Sequence, residues 1–158
     1  DSLTSIEIPN SVTAIGDEAF KGCTKLTAIE IPNSVTAVGS SAFYGCSSLT
    51  SIEISNSVTG IGEQAFYNCK GLNLMDVPES VATIGKNAFY GIDTIFYAGK
   101  ATGEPWGASK VIRGVRDGYF LYADSTKLCI VDYLGADSVV VIPNSVTAIG
   151  VEAFKGST

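Results

Sequence analysis

The sequence predicts a repeat solenoid, mostly short parallel β-strands stacked coil on coil. Three observations carry that prediction. Leu3, Leu26, Leu49 and Leu72 recur every 23 residues. The apolar register between them holds: Ile6, Ile29, Ile52 and Met75 share one position, and Ile8, Ile31, Ile54 and Val77 the next. Gly16, Gly39, Gly62 and Gly85 recur, as do the Ala-Phe pairs beginning at Ala19, Ala42, Ala65 and Ala88. A single coil of this length cannot bury its own Leu, Ile, Val and Phe. Stacking coils about 4.8 Å apart pairs their backbones and merges those positions into one core.

Each element follows from the unit in order. Residues 5–8 form a short strand with Ile6 and Ile8 on the inner face, by the two-residue period. Pro9 ends it, having no N–H for a ladder. Residues 12–15 read as a second extended segment, and Gly16 permits a turn. Residues 17–22 are expected to form one helical or 3-10 turn that carries Ala19 and Phe20 inward. Four full units occupy residues 1–94, and a fifth appears in 137–158 with residues 142–150 and the pair Ala153-Phe154. Between them, 95–136 breaks the repeat and replaces roughly two coils. There Ile95 is expected to keep the Leu position, and Phe96 and Tyr97 to continue a strand. Residues 99–107 are turn-rich. Residues 119–123 and 128–133 read as a β-hairpin with a four-residue loop at 124–127.

The unit LTSIEIPNSVTAIGDEAFKGC resembles the BspA-like leucine-rich repeats, whose pattern is close to LxxIxIPxSVxxIGxxAFxxC. The resemblance implies a curved, right-handed leucine-rich-repeat solenoid in a secreted or surface-anchored microbial protein. It implies adhesion through a protein partner on a host or neighbouring cell or in its matrix, and brings no catalytic residues. Two alternatives stay open: a structural spacer that holds another module off the cell surface, and an accessory carbohydrate-binding domain of a larger extracellular enzyme, with a glycan as ligand. The first unit opens at Leu3 without a capping segment, and the chain stops at Thr158 where another coil would begin. The expectation is therefore a piece of a longer array.

Composition narrows the function classes. A net charge of −6 argues against a nucleic-acid partner. No apolar run approaches the roughly 18 residues of a membrane span, so no insertion is expected. There is no His, which excludes Ser-His-Asp and Cys-His nucleophiles and His-ligated metals. We expect no catalytic residue, no cofactor and no metal.

Four groups of residues remain as candidates. Cys23, Cys46 and Cys69 share one repeat position, which Ile92 takes in the next unit. Stacked along the solenoid axis with their Cβ atoms parallel, they suit neither a zinc tetrahedron nor a disulfide and read as packed thiols. Glu7, Glu30, Glu53 and Asp76 project from the open face of the strands as an acidic row, a contact surface for a basic partner. Tyr44, Tyr67 and Tyr90, preceded by Lys21, form an outer stripe over the Phe corner. In 95–136 the net charge turns to +1, and 7 of the chain's 15 aromatic residues gather. Trp106, Arg113, Arg116 and Tyr122 are the expected partner-binding anchors there, with Tyr97 and Tyr119 in the same patch, because aromatic and Arg side chains dominate interface energetics.

Overall fold

The computed structural model describes residues 2–103, 105–117, 120–123, 126–127, 129–134 and 140–155, with the side chains of 115, 116, 129 and 131–133 excepted. It is a parallel-strand solenoid. Coils 2 to 4 each carry two strand segments, and coil 1 carries one. The shorter ones are β1 (Ala14–Ile15), β3 (Ala37–Val38), β5 (Gly60–Ile61) and β7 (Thr83–Ile84), which pair in parallel as one sheet. The longer ones are β2 (Ala28–Ile31), β4 (Ser51–Ile54) and β6 (Leu74–Val77). We call the face of a coil toward the next coil its upper face, and the opposite face its lower face.

The longer strands keep the phase read for residues 5–8, with one correction. Coil 1 has no strand there. Its Thr4 carbonyl accepts the Thr27 N–H at 3.2 Å, but residues 5–8 form no ladder with β2, and Ile6 is exposed. β2 pairs with β4 in register, while β6 belongs to a separate sheet beside β4.

The helical turn expected at 17–22 is also corrected: the described residues contain no helix. Instead the backbone N–H groups alternate. Those of Ala19, Lys21 and Cys23 donate to carbonyls three residues back, while those of Glu18, Phe20 and Gly22 donate to Ser40, Ala42 and Tyr44 in the next coil. Every second donor thus serves the stack, and an i→i−4 ladder cannot form. Glu18, Ser41, Gln64 and Asn87 recur at φ of 54–58°, the left-handed conformation that bends each coil here. The recurring glycine has another cause than the turn. A Cβ at Gly39, Gly62 or Gly85 would lie 2.4–2.6 Å from backbone atoms of the coil below.

The repeat does not stop at 95. β8 (Thr94–Tyr97) and β9 (Lys110–Arg113) extend β6 in parallel, pairing Met75 with Ile95 and Ile95 with Val111. The coils shorten instead. Ile95 therefore occupies the first inward strand position, not the Leu position expected for it. Ile92, fully buried, fills the corner after Phe89.

Beyond β9 the chain turns at Gly114 (φ 141°) into β10 (Val115–Asp117), β11 (Phe120–Tyr122) and β12 (Cys129–Tyr133), an antiparallel meander. The predicted hairpin is the β11–β12 pair; the strand before it was not foreseen. β13 (Ala148–Ile149) then pairs in parallel with β12, and Gly150 donates to the Ile130 carbonyl as Gly39 does to Ile15. Two cores result. The main one runs through the coils from Ile15 to Ala108. The second is small, with Tyr122, Ile130 and Ala153 buried and Phe154 against them.

Candidate functional site

The strand alternation sets up the first half of the site. In β2 and β4, Ile31 and Ile54 point into the core, and Glu30 and Glu53 stand between inward positions on the other face, paired across the ladder. Asp76 repeats this in β6, and Glu7 stands exposed in coil 1. The acidic row is exposed as expected. It is a continuous ladder only between Glu30 and Glu53.

The second half comes from Phe96. Register places it after Asp76 in the outward position, yet it is only 4% exposed. The meander covers it. Gly114, at the start of the meander, and Lys127, on the β11–β12 turn, form a wall facing the strands. Between wall and strands lies a groove of about 580 Å³ whose floor includes Glu53, Asp76, Val77 and Glu79. Beside it, Glu79 and Asn56 also line a second opening, with Lys100 and Thr126 on its far side. Lys127 is held by Asp117 at 2.7 Å. Among the described residues the groove therefore presents acidic side chains on its floor, a small apolar strip and a lysine paired with Asp117.

The anchors expected in 95–136 divide. Trp106 is buried: its ring meets Tyr97 edge-on at 5.6 Å and its Nε1 donates to the Thr102 carbonyl at 2.9 Å. Tyr122 is buried in the second core. Neither presents a surface to a partner; both aromatic rings close irregular segments against cores, where the regular repeat no longer supplies Phe. Arg113 is exposed, donates to the Gly99 carbonyl at 3.0 Å and lies 5.3 Å from the Tyr97 ring centroid. Arg116 lies in β10, its side chain among those not described, and Tyr119 lies outside the described residues. Tyr97 is fully buried; its hydroxyl donates to the Val81 carbonyl and accepts the Ala101 N–H at 2.9 Å. Sequence reasoning missed Phe96, Gly114, Lys127 and Glu79. One signal was available: a Phe in a position otherwise acidic marks a covered face.

The other candidate rows are structural. Cys23, Cys46 and Cys69 are free thiols. The Cys46 and Cys69 Sγ atoms donate to the Phe20 and Phe43 carbonyls at 3.1 and 3.0 Å. Contact with the Cys46 thiol and burial push the Cys69 thiol well above the ordinary range, and burial raises Cys23. Tyr44, Tyr67 and Tyr90 stack at 4.9 and 4.6 Å, with Lys21 at the head of the stack, 5.7 Å from the Tyr44 centroid. Their faces cover one another, so the stripe offers edges and hydroxyls. Among the described residues no group of three or more Cys, Asp or Glu side chains is arranged to hold a metal.

Comparison with known proteins rests on the same register. The family model described as the BspA type leucine rich repeat region (6 copies) matches residues 1–98. The chain belongs to the BspA-type leucine-rich-repeat family. Solved structures of bacterial leucine-rich-repeat proteins share its fold. The T. pallidum leucine-rich-repeat protein is 24% identical with a TM-score of 0.56, over 88% of this chain and 63% of that one. A Bacteroides ovatus leucine-rich-repeat protein is 30% identical with a TM-score of 0.50, over 89% of this chain and 29% of that one. A leucine-rich cell-surface protein from Faecalibacterium prausnitzii is 23% identical with a TM-score of 0.50, over 96% of this chain and 57% of that one. The BspA-type chain thus spans less than two thirds of each of these structures. No curated protein matches it significantly.

Proposed function

We propose that this chain is a non-catalytic protein-binding module of a secreted or cell-surface bacterial protein, and that its groove takes a basic, extended segment of a protein partner. The groove carries the reading: its floor aligns Glu53, Asp76 and Glu79, and its wall belongs to the antiparallel meander, which departs from the parallel repeat. Regular coils offer a repeated, low-information surface, whereas the wall adds a distinct shape, which specificity requires. The irregular segment therefore contributes through Gly114 and Lys127, in place of the buried Trp106 and Tyr122. Cell-surface placement is supported by the family and by the description of the F. prausnitzii protein.

The test is a panel of purified matrix proteins, cell-surface proteins and glycans presented to the immobilised chain. The expected result is a protein ligand whose affinity falls with salt and drops by roughly tenfold in Glu53→Lys. Binding confined to glycans, or protein binding indifferent to Glu53→Lys, overturns the reading.

A further inference from the structure

The groove is the middle of a longer trough, which begins where the repeat falters between coils 3 and 4. The Thr27 and Thr50 N–H groups donate to the Thr4 and Thr27 carbonyls at 3.2 and 2.9 Å, and their Oγ1 atoms repeat the contact at 3.3 and 3.2 Å. Asn73 takes the next position, and among the described residues the Thr50 carbonyl receives no such bond. β4 and β6 meet here without a ladder. An opening of about 520 Å³ lies over this seam, bordered by Thr50, Ser51, Ile52 and Leu74. Leu74 stands where coils 2 and 3 carry Ala28 and Ser51, and it is 42% exposed. With the half-buried Ile52 it makes this end apolar.

Three openings follow one another along the strands. The seam shares Ile52 and Asp76 with the groove, and the groove shares Asn56 and Glu79 with the opening beyond it, of about 730 Å³. From Thr50 to Asn56 the trough follows β4 and the residues on either side of it, room for about seven extended residues at roughly 3.3 Å each. Its chemistry changes along that length. The seam is uncharged apart from the shared Asp76. The middle carries Glu53, Asp76 and Glu79, and Glu53 is exposed with no ion pair among the described residues. The far opening adds the neutral Ser80 and Thr126 and one cation, Lys100, which is also exposed and without an ion pair among the described residues.

We propose that the segment taken by this trough carries its groups in a fixed order: an apolar side chain on the seam, basic side chains over Glu53, Asp76 and Glu79, and a carboxylate against Lys100. The order rests on the reading of the groove as a site for a basic, extended protein segment, and adds to it which neighbours the basic residues must have. Charge complementarity sets it. A basic group moved one opening onward meets Lys100, and a carboxylate moved one opening back meets Glu53 and Asp76. Either displacement brings like charges together, so the charges fix the register of the segment as well as its affinity. Lys127, paired with Asp117 at 2.7 Å, leaves the acidic character of the middle in place.

Fluorescence anisotropy with dye-labelled, end-blocked heptapeptides on the 158-residue chain tests this. All have one composition: a leucine, two lysines and an aspartate, spaced by serine and glycine. In the ordered peptide, made in both chain directions, the lysines stand between leucine and aspartate; in the scrambled peptide the aspartate stands between the lysines. One direction of the ordered peptide is expected to bind at least roughly threefold more tightly than the scrambled one. Replacing its aspartate by serine should weaken binding by a similar factor on the wild-type chain and have no effect on Lys100→Ala. Replacing its leucine by serine should likewise matter on the wild-type chain and not on Leu74→Ser. Glu53, Leu74 and Lys100 are exposed, so each variant should melt with wild type by circular dichroism. Binding that is lost in Glu53→Lys yet indifferent to peptide order and to Lys100→Ala overturns the order and leaves the groove reading standing. No binding up to millimolar peptide, or binding unchanged in Glu53→Lys, overturns the groove reading and the order with it.

Discussion

At Gly39, Gly62 and Gly85 the residue is chosen by the neighbouring coil. The sequence shows an unvarying glycine and suggests a turn, but the described φ angles of these three are not in the left-handed region, and the constraint is backbone approach from below. Gly62→Ala would bring its Cβ within 2.5 Å of the Ser40 nitrogen. Backbone cannot swing aside as a side chain can, so we expect a loss of about 1–3 kcal/mol in urea unfolding. Gly16→Ala in the same assay should be near neutral, and equal losses at both sites would refute the account. The thiols make a second residue-scale case. Their row was legible from spacing; their proton affinity was not, because it depends on what surrounds them. Cys69 holds its proton more tightly in the folded chain than in the unfolded one. Its contribution is therefore complete below the unfolded thiol pKa and is lost as pH rises above about 8.5. Thermal melting should show a drop between pH 7 and pH 10 that Cys69→Val makes smaller. Trp106 and Tyr122 mark the limit at this scale: an aromatic side chain in an irregular segment looks the same in sequence whether it meets a partner or seals a core.

At the scale of elements, phase was readable and hydrogen bonding was not. The strands at Ala28–Ile31, Ser51–Ile54 and Leu74–Val77 fall where the two-residue alternation of Ile and Glu puts them. The segment after each glycine looks helical because a local pattern counts only local bonds, whereas half of its donors go to the next coil. Coil shortening after Val77 was hidden for a related reason. Ile92, Ile95 and Phe96 are all apolar, and only pairing tells which of them is inward, which fills a corner and which lies under the meander. The Phe column, by contrast, was plain from the Ala-Phe pairs, though its extent was not. Phe43, Phe66 and Phe89 are fully buried, Phe20 is half-buried at the open lower end, and Phe154 sits in the second core and not in the column. Phe66 lies between Phe43 at 5.2 Å and Phe89 at 5.9 Å. Neither neighbour can move into the space it fills without leaving its own coil. Phe66→Ala should therefore cost about 3–5 kcal/mol in chemical unfolding. Phe154→Ala, at the edge of the smaller core, should cost distinctly less, and an equal cost would place both in one cooperative column.

At the scale of the whole molecule, the groove exists because two cores are set against each other, and Gly114 is the residue between them. The coil core is repetitive and broad, whereas the second core rests on Tyr122, Ile130 and Ala153. Gly114 adopts a φ of 141° that an L side chain rarely takes. An added Cβ would lie 2.6 Å from the Tyr122 carbonyl and 2.8 Å from Leu121 Cδ1. Gly114→Ala thus strikes the start of the meander and one of its central strands at once, and the nearest atoms it meets all belong to the meander. Stability is not uniform across a structure, and units with small cores open first. Hydrogen exchange read by mass spectrometry should show β10, β11 and β12 losing protection in Gly114→Ala, with β3, β5 and β7 unchanged. The wall of the groove, Lys127 included, would go with the meander, so a partner held between wall and floor should dissociate faster even though Glu53 and Asp76 stay in place. If protection falls equally through coils 1–4, the two cores open as one unit, and the wall is as permanent as the strands it faces.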